Sequence, residues 1–424
     1  MIKPIKWGCA ALLIALPVAA SAQAVSVGQP ATSRTPQQGV RLVQRQKFVR
    51  EIEVTLGLTT TYDSNVARAN INVAQQNGLD PSDVYVAPNA LINVSLPFGR
   101  SQAYLTGTAS YLIHARNSRL DGEQLALSGG VSTEFARCSA SLDGELSRVR
   151  TNVGNLVAQL ASVQNFETTT SVGVTIGCGG VVGLQPFGQF DYSRGTNTNA
   201  LRRGSDFETF TYGGGISYRQ PSIGELGIVG SVEDTRYTAR DGSTGTLLSG
   251  LQSFPTRSVG VYYVRDVTRF FYGKARVNYT DVATVQGASF TGVTGELVVR
   301  VSPTEKASFE VTAARVTQPS LSYLVDYTVD NTITASAALQ LGPTLSFNAR
   351  YQYGDTRYVN SRALPAAVAL LTNDQRHDLN GEFFYKLGRR LVLTAGAGYS
   401  SRRANSAVFE YDAARVFFGL RGVF

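Results

Sequence analysis

The chain of 424 residues holds few of the groups that enzyme chemistry uses. Its imidazoles are His114 and His377 alone. The pair His377-Asp378 is the sort of neighbourhood from which a barrel hydrolase would draw a general base, completed by Ser or a second carboxylate. Adjacent residues on a strand point to opposite faces, so these two cannot pair. The local alternation puts His377 on the apolar side. Two histidines are also too few to suggest a metal centre. Cys138 and Cys178 have no His nearby in sequence that would make either a nucleophile. No catalytic residue, cofactor or metal is therefore expected, and interest moves to the charges and to the elements that hold them.

Those elements must fit an unusual composition. Only 17% of the residues are charged, against about 25% in an ordinary soluble domain. Hydrophobic residues make up 43% and the mean hydropathy is −0.05, too polar for a helical membrane protein. Tyr, Phe and Val are too frequent for disorder. The start reads as a secretory signal peptide over residues 1–22. Lys3 and Lys6 precede an apolar run from Cys9 to Ala20, followed by the small-residue site Ala20-Ser21-Ala22. Its removal takes two positive charges and lowers the formal charge from +8 to +6. Residues 23–50 form a flexible basic lead-in holding Arg34, Arg41, Arg45, Lys47 and Arg50 and no acid, so most of the remaining excess lies there.

From Glu51 to Phe424 the texture is uniform. Apolar residues alternate with polar ones, as in Ile52, Val54, Leu56 and Leu58 against Glu51, Glu53, Thr55 and Thr59. Eighteen such segments can be marked, starting near 51, 84, 101, 124, 139, 165, 184, 207, 225, 257, 270, 290, 307, 329, 344, 376, 391 and 408. Short breaks such as Pro97–Arg100 alternate with long ones such as Asp63–Asp83. Short turns on one rim and long loops on the other describe an outer-membrane barrel. The expected fold is all-β, a transmembrane antiparallel up-and-down β-barrel of 16–18 strands over residues 51–424. An even count puts both termini on the periplasmic side. A sheet in hydrocarbon cannot leave an edge unpaired, so it must close.

The chain ends on an alternating strand in which Phe424, Gly422, Leu420, Phe418 and Val416 share a face. It resembles the C-terminal insertion signal, here Phe418, Leu420 and Phe424, that the barrel-assembly machinery reads in Gram-negative bacteria. At the end of the first segment, Thr60-Thr61-Tyr62-Asp63-Ser64-Asn65-Val66 is similar to the opening of the outer-membrane β-barrel porin family associated with bacterial exopolysaccharide loci. Tyr62, Asp63, Ser64 and Asn65 are its only local motif, and the same residues also read as a polar turn leaving a strand. The resemblance implies outer-membrane passage or anchoring of polysaccharide.

Alternation assigns the charges Asp143, Glu145, Asp191, Glu233, Lys274, Arg276, Glu296, Arg300, Glu310, Arg350, Asp378, Glu382 and Arg415 to the lumen. Lys274, Arg276, Arg300 and Glu310 fall on three successive segments, either as a selectivity surface or as paired charges in a wet interior. Cys138 and Cys178 fall in short turns on one rim, close enough for a disulfide, or else two free small residues. Tyr62, Tyr111, Phe135, Tyr263, Phe271, Tyr279, Tyr351, Tyr385 and Tyr399 suit aromatic girdles. Inward Tyr104, Tyr262 and Tyr272 offer faces to a sugar. The apolar, helix-like stretches Asn155–Val163 and Ala363–Thr372 suit a plug or a cap above the rim. The expected function is a non-enzymatic porin-like channel or exopolysaccharide export component for a polar solute. The competing expectation is a non-conducting barrel that anchors partners. Outer-membrane lipid and the assembly machinery are the expected partners, and nothing points to nucleic acid.

Overall fold

The computed structural model describes residues 50–151, 164–238, 253–268, 270–283, 289–319, 325, 327–359 and 371–424. The leader, the lead-in before Arg50, the stretch Asn155–Val163 and residues 363–370 lie outside them. Among the described residues eighteen strands form one sheet. They are β1 (Glu51–Asp63), β2 (Asp83–Phe98), β3 (Ser101–His114), β4 (Gly122–Phe135), β5 (Cys138–Arg150) and β6 (Phe166–Cys178). There follow β7 (Gly183–Asn197), β8 (Phe207–Gln220), β9 (Gly224–Tyr237), β10 (Ser253–Thr268), β11 (Phe271–Val282) and β12 (Phe290–Thr304). The last are β13 (Ala307–Pro319), β14 (Tyr327–Gln340), β15 (Leu345–Val359), β16 (Asn373–Leu387), β17 (Leu391–Ala404) and β18 (Tyr411–Val423). Each pairs antiparallel with the next, and β18 pairs back on β1, so the sheet closes as an up-and-down barrel.

Alternation is the reason these segments are strands with two unlike faces. On β1, Ile52, Leu56, Leu58 and Tyr62 point outward and are 50–55% exposed, whereas Thr55, Thr61 and Asp63 are 2–6% exposed. Residues directly opposite across an antiparallel pair share a face, so the register carries the assignment round the ring. Leu58 meets Leu420 on one side, and Ile92 opposite Val54 meets Gly107 on the other. The outward set is a continuous apolar belt far larger than the few hundred Å² that a water-soluble monomer tolerates. Hydrocarbon is the solvent in which it is stable.

The strands run from 12 to 16 residues, more than the roughly 9–11 that cross a bilayer at a tilt. The surplus extends the wall toward the long loops. The turns at the other rim are tight: Gly99-Arg100 joins β2 to β3, and Ala136-Arg137 joins β4 to β5. Gly99 takes φ 63° and Ala136 φ 53°, both in the left-handed region that glycine adopts freely and alanine does not.

The connection after β1 has its own architecture. It carries the helix α1 (Ile71–Gln76), capped by the Asn70 side chain, which accepts from the Asn72 N–H at 3.0 Å. Val66, Ala67, Ala69, Val73, Ala74 and Leu79 bury together with Leu120 from the β3–β4 loop, and Val408 of the β17–β18 loop packs on them. Asn117 donates to the Asp80 carbonyl at 3.1 Å and Arg119 to the Asn77 carbonyl at 3.0 Å. Asn165 donates to Asn197 at 2.8 Å, which ties the β5–β6 and β7–β8 connections to one another.

Candidate functional site

The inward face is the candidate site, because it is the polar surface that the closed sheet encloses. On β5, β6, β7, β8 and β9 the inward strand residues include six carboxylates, Asp143, Glu145, Glu167, Asp191, Glu225 and Glu233. The only inward guanidinium among the described residues of those five strands is Arg219, which meets Glu225 at 3.3 Å. On β15 to β18 the balance reverses. Five inward guanidiniums, Arg350, Arg376, Arg402, Arg415 and Arg421, face three carboxylates, Asp374, Asp378 and Glu382. In a ring of eighteen, β6 lies opposite β15 and β9 opposite β18. One wall is therefore acidic and the wall across from it is basic.

On the acidic wall Asp143, Glu225 and Glu233 accept from neutral donors, while Arg202 reaches Glu167 at 3.6 Å. Tyr104 donates to Asp143, which also receives the Ser141 hydroxyl at 3.0 Å. Tyr262 donates to Glu225 at 2.9 Å, and Thr235 to Glu233 at 3.5 Å. On the basic wall Arg376, Arg402 and Arg421 meet carboxylates. Asp374, fully buried, receives Arg376 at 2.9 Å and the Nε of Arg402 at 2.7 Å, and Tyr358 donates to the same oxygen at 2.9 Å. Arg402 lies over the Phe409 ring. Nearer the short turns Arg421 meets Glu382 at 3.2 Å. Buried ions of this kind are stable only as a set, since removing one partner leaves the others uncompensated.

Between the walls, β11 to β13 carry a ladder across three strands. Lys274 meets Glu296 at 2.6 Å. Arg300 grips one oxygen of Glu310 through two nitrogens, at 2.8 and 2.6 Å, with its guanidinium over the Tyr272 ring. Arg276, 5% exposed, donates to Asn278 at 2.9 Å. Lys274, Glu296, Arg300 and Glu310 thus meet as pairs, while Arg276 rests on an amide. Arg350 donates to Gln352 at 3.1 Å and Arg415 to Asn380 at 3.3 Å. Tyr104, Tyr262 and Tyr272 each already hold a neighbour, and Tyr262 is only 6% exposed. Asp378 receives the Ser400 hydroxyl at 2.6 Å, while His377 faces outward against the Tyr351 hydroxyl at 2.9 Å.

The motif after β1 does local work at the closure of the barrel. Asp63 accepts both terminal nitrogens of Arg68, at 2.8 and 2.6 Å, and the Asn65 N–H at 2.9 Å. Burial alone would lower the Arg68 pKa, but the bonds to Asp63 and its charge hold it above its ordinary value. Ser64 exchanges bonds with the Ala414 backbone in both directions, at 2.9 and 2.8 Å. Asn65 donates to the Ala69 carbonyl and to the Asp412 carbonyl. Tyr62 is outward and half exposed. The motif thus fastens the first long loop to β18. At the other end of the same seam Val54 and Phe424 exchange backbone bonds at 3.2 and 2.9 Å, with Phe418, Leu420 and Phe424 outward. Cys138 and Cys178 are the first residue of β5 and the last of β6, directly opposite, and form a disulfide.

Sequence reasoning missed Asp374, Arg376 and Arg402, and missed Arg68. An acid closing a strand with an arginine five residues on, as in Asp63 and Arg68, was a usable signal. It also missed a row of outward charges near the long loops, where Arg148 meets Glu123 at 2.7 Å, Arg236 meets Asp234 at 2.6 Å and Arg403 meets Asp412 at 2.8 Å.

The model of the family described as "Putative beta-barrel porin 2" matches residues 258–424, from within β10 to the end of the chain. No curated protein matches the chain. Among solved structures, the chain is similar to OccK2 (OpdF) of Pseudomonas aeruginosa at 12% identity and a TM-score of 0.44, over 89% of this chain and 100% of that one. It is similar to the outer-membrane protein OpdK of the same organism at 9% identity and a TM-score of 0.43, over 88% and 99%. The siderophore receptor PirA of P. aeruginosa gives 12% identity and a TM-score of 0.42, over 89% and 81%. The chain is a porin-like β-barrel of the Gram-negative outer membrane, its match to that porin family carried by residues 258–424.

Proposed function

We propose that this barrel is a passive, non-enzymatic channel for polar solutes, selecting them by the field between its two charged walls. The observation that carries the reading is the segregation of inward charge, carboxylates on β5–β9 against guanidiniums on β15–β18. Opposite charges fixed across a narrow, water-filled passage orient a dipolar solute and hold its hydration shell on both sides. A polar carbohydrate, including a segment of exopolysaccharide, fits that chemistry. In the orientation this function implies, residues 1–22 are removed on export, the short turns and both termini face the periplasm, and the outward C-terminal residues serve recognition by the assembly machinery.

The ladder on β11–β13 is the proposed fine control. Removing Arg276 and Arg300 leaves Lys274 alone against Glu296 and Glu310, with Glu310 stripped of its ion partner. Conductance of the purified protein in a planar bilayer tests the reading. The expected result is a conducting pore whose ion preference moves toward cations in the Arg276→Ala/Arg300→Ala variant. No conductance at any voltage would contradict the channel and favour the anchoring barrel.

A further inference from the structure

A groove of about 520 Å³ crosses the outer wall over β8 to β11. Tyr212, Val232, Val259 and Tyr279 flank it, all outward and 44–57% exposed. Its floor is low because Gly214 and Gly230, directly opposite one another, have no side chains there. Arg257 and Asp281, also directly opposite, lie at its long-loop end. The Arg257 side chain is exposed and, among the described residues, has no ion pair. Asp281 receives the Thr291 hydroxyl at 2.9 Å and keeps acceptor capacity.

An apolar trough on this wall gives water no partners, so a hydrocarbon chain fills it better. Tyr212 and Tyr279 have the amphipathic rings that sit at the level of lipid headgroups. A cation just beyond them meets the headgroup layer, and the adjacent carboxylate asks for a donor in the same head. Four other outward arginines lack this combination. Arg148, Arg236 and Arg403 sit on carboxylates, and Arg315 donates to Asn331 at 3.2 Å.

We propose that this groove binds a phosphorylated glycolipid, one acyl chain lying over Gly214 and Gly230, its phosphate on Arg257 and a head-group hydroxyl on Asp281. The site rests on the lipid-facing wall and is independent of conduction. Native mass spectrometry of the full barrel, offered diphosphoryl lipid A or its dephosphorylated form, tests it. Arg257→Gln should retain the phosphorylated lipid about fivefold less than the wild type, the effect of one surface charge, and Arg257→Lys should restore retention. The dephosphorylated form should be held equally by wild type and Arg257→Gln. At Gly230 an added Cβ finds only the Ser258 carbonyl at 3.8 Å, so Gly230→Leu fits the wall and fills the trough. That variant should lose both lipids. Equal retention of both lipids by all these proteins would overturn the proposal. Conductance measured on the same preparations should be unchanged in the variants; a non-conducting wild type would sink the channel and leave the lipid comparison standing.

Discussion

The two walls of the lumen carry charge in different ways. On β15–β18 Arg376 and Arg402 share Asp374 and Arg421 meets Glu382, with Asp374 and Arg402 sealed from water. On β5–β9 the carboxylates Asp143 and Glu233 rest on hydroxyls and a phenol instead of on cations. The contrast separates two uses of charge. Ions that neutralise one another brace a wall, whereas carboxylates held by neutral donors keep their field. A substitution on the basic wall should then be felt first as stability, and one on the acidic wall first as ion preference.

The sharpest way to break this contrast is Asp374→Ala. It strands Arg376 and Arg402, and should cost about 3–5 kcal/mol, read as a lower urea midpoint of the folded barrel. Asp63→Ala strands Arg68 at the seam in the same way and should cost about 3 kcal/mol, with earlier proteolysis in the 64–82 loop as a second readout. If both variants unfold like the wild type, bracing is the wrong description. Asp143→Asn with Glu145→Gln should leave the midpoint within about 1 kcal/mol, because the amides keep the bonding geometry, and should reduce cation preference in a bilayer. A large loss of stability there would erase the distinction between the walls. Ala136→Gly lies outside both walls and calibrates the assay. It relieves a left-handed alanine and should stabilise by about 1 kcal/mol.

Much of this was legible in the sequence, for a physical reason. Where one face meets lipid and the other water, each residue declares its side, and the strand starts at 51, 101, 207, 290, 307 and 391 coincide with those expected. The inward placement of Lys274, Arg276, Glu296, Arg300 and Glu310 follows from the same rule. It fails where both faces are covered. Tyr327 to Asp330 are all buried. There alternation in hydropathy has no cause, and the neighbouring Asp374, Arg376 and Arg402 escaped notice. The partition of charge between walls was also hidden, because it depends on which strands face one another across the ring. The loop after β1 read as a polar turn, since its core of Val66, Ala69, Ala74 and Leu79 is completed by Leu120, 41 positions beyond Leu79.

The central claim is that the field inside the barrel selects what passes. The zero-current reversal potential of a planar bilayer under a KCl gradient measures it directly. Wild type and the Arg276→Ala/Arg300→Ala variant should both conduct, with the variant displaced toward the cation equilibrium potential. A wild type that does not conduct, or a variant with an unmoved reversal potential, would contradict the account.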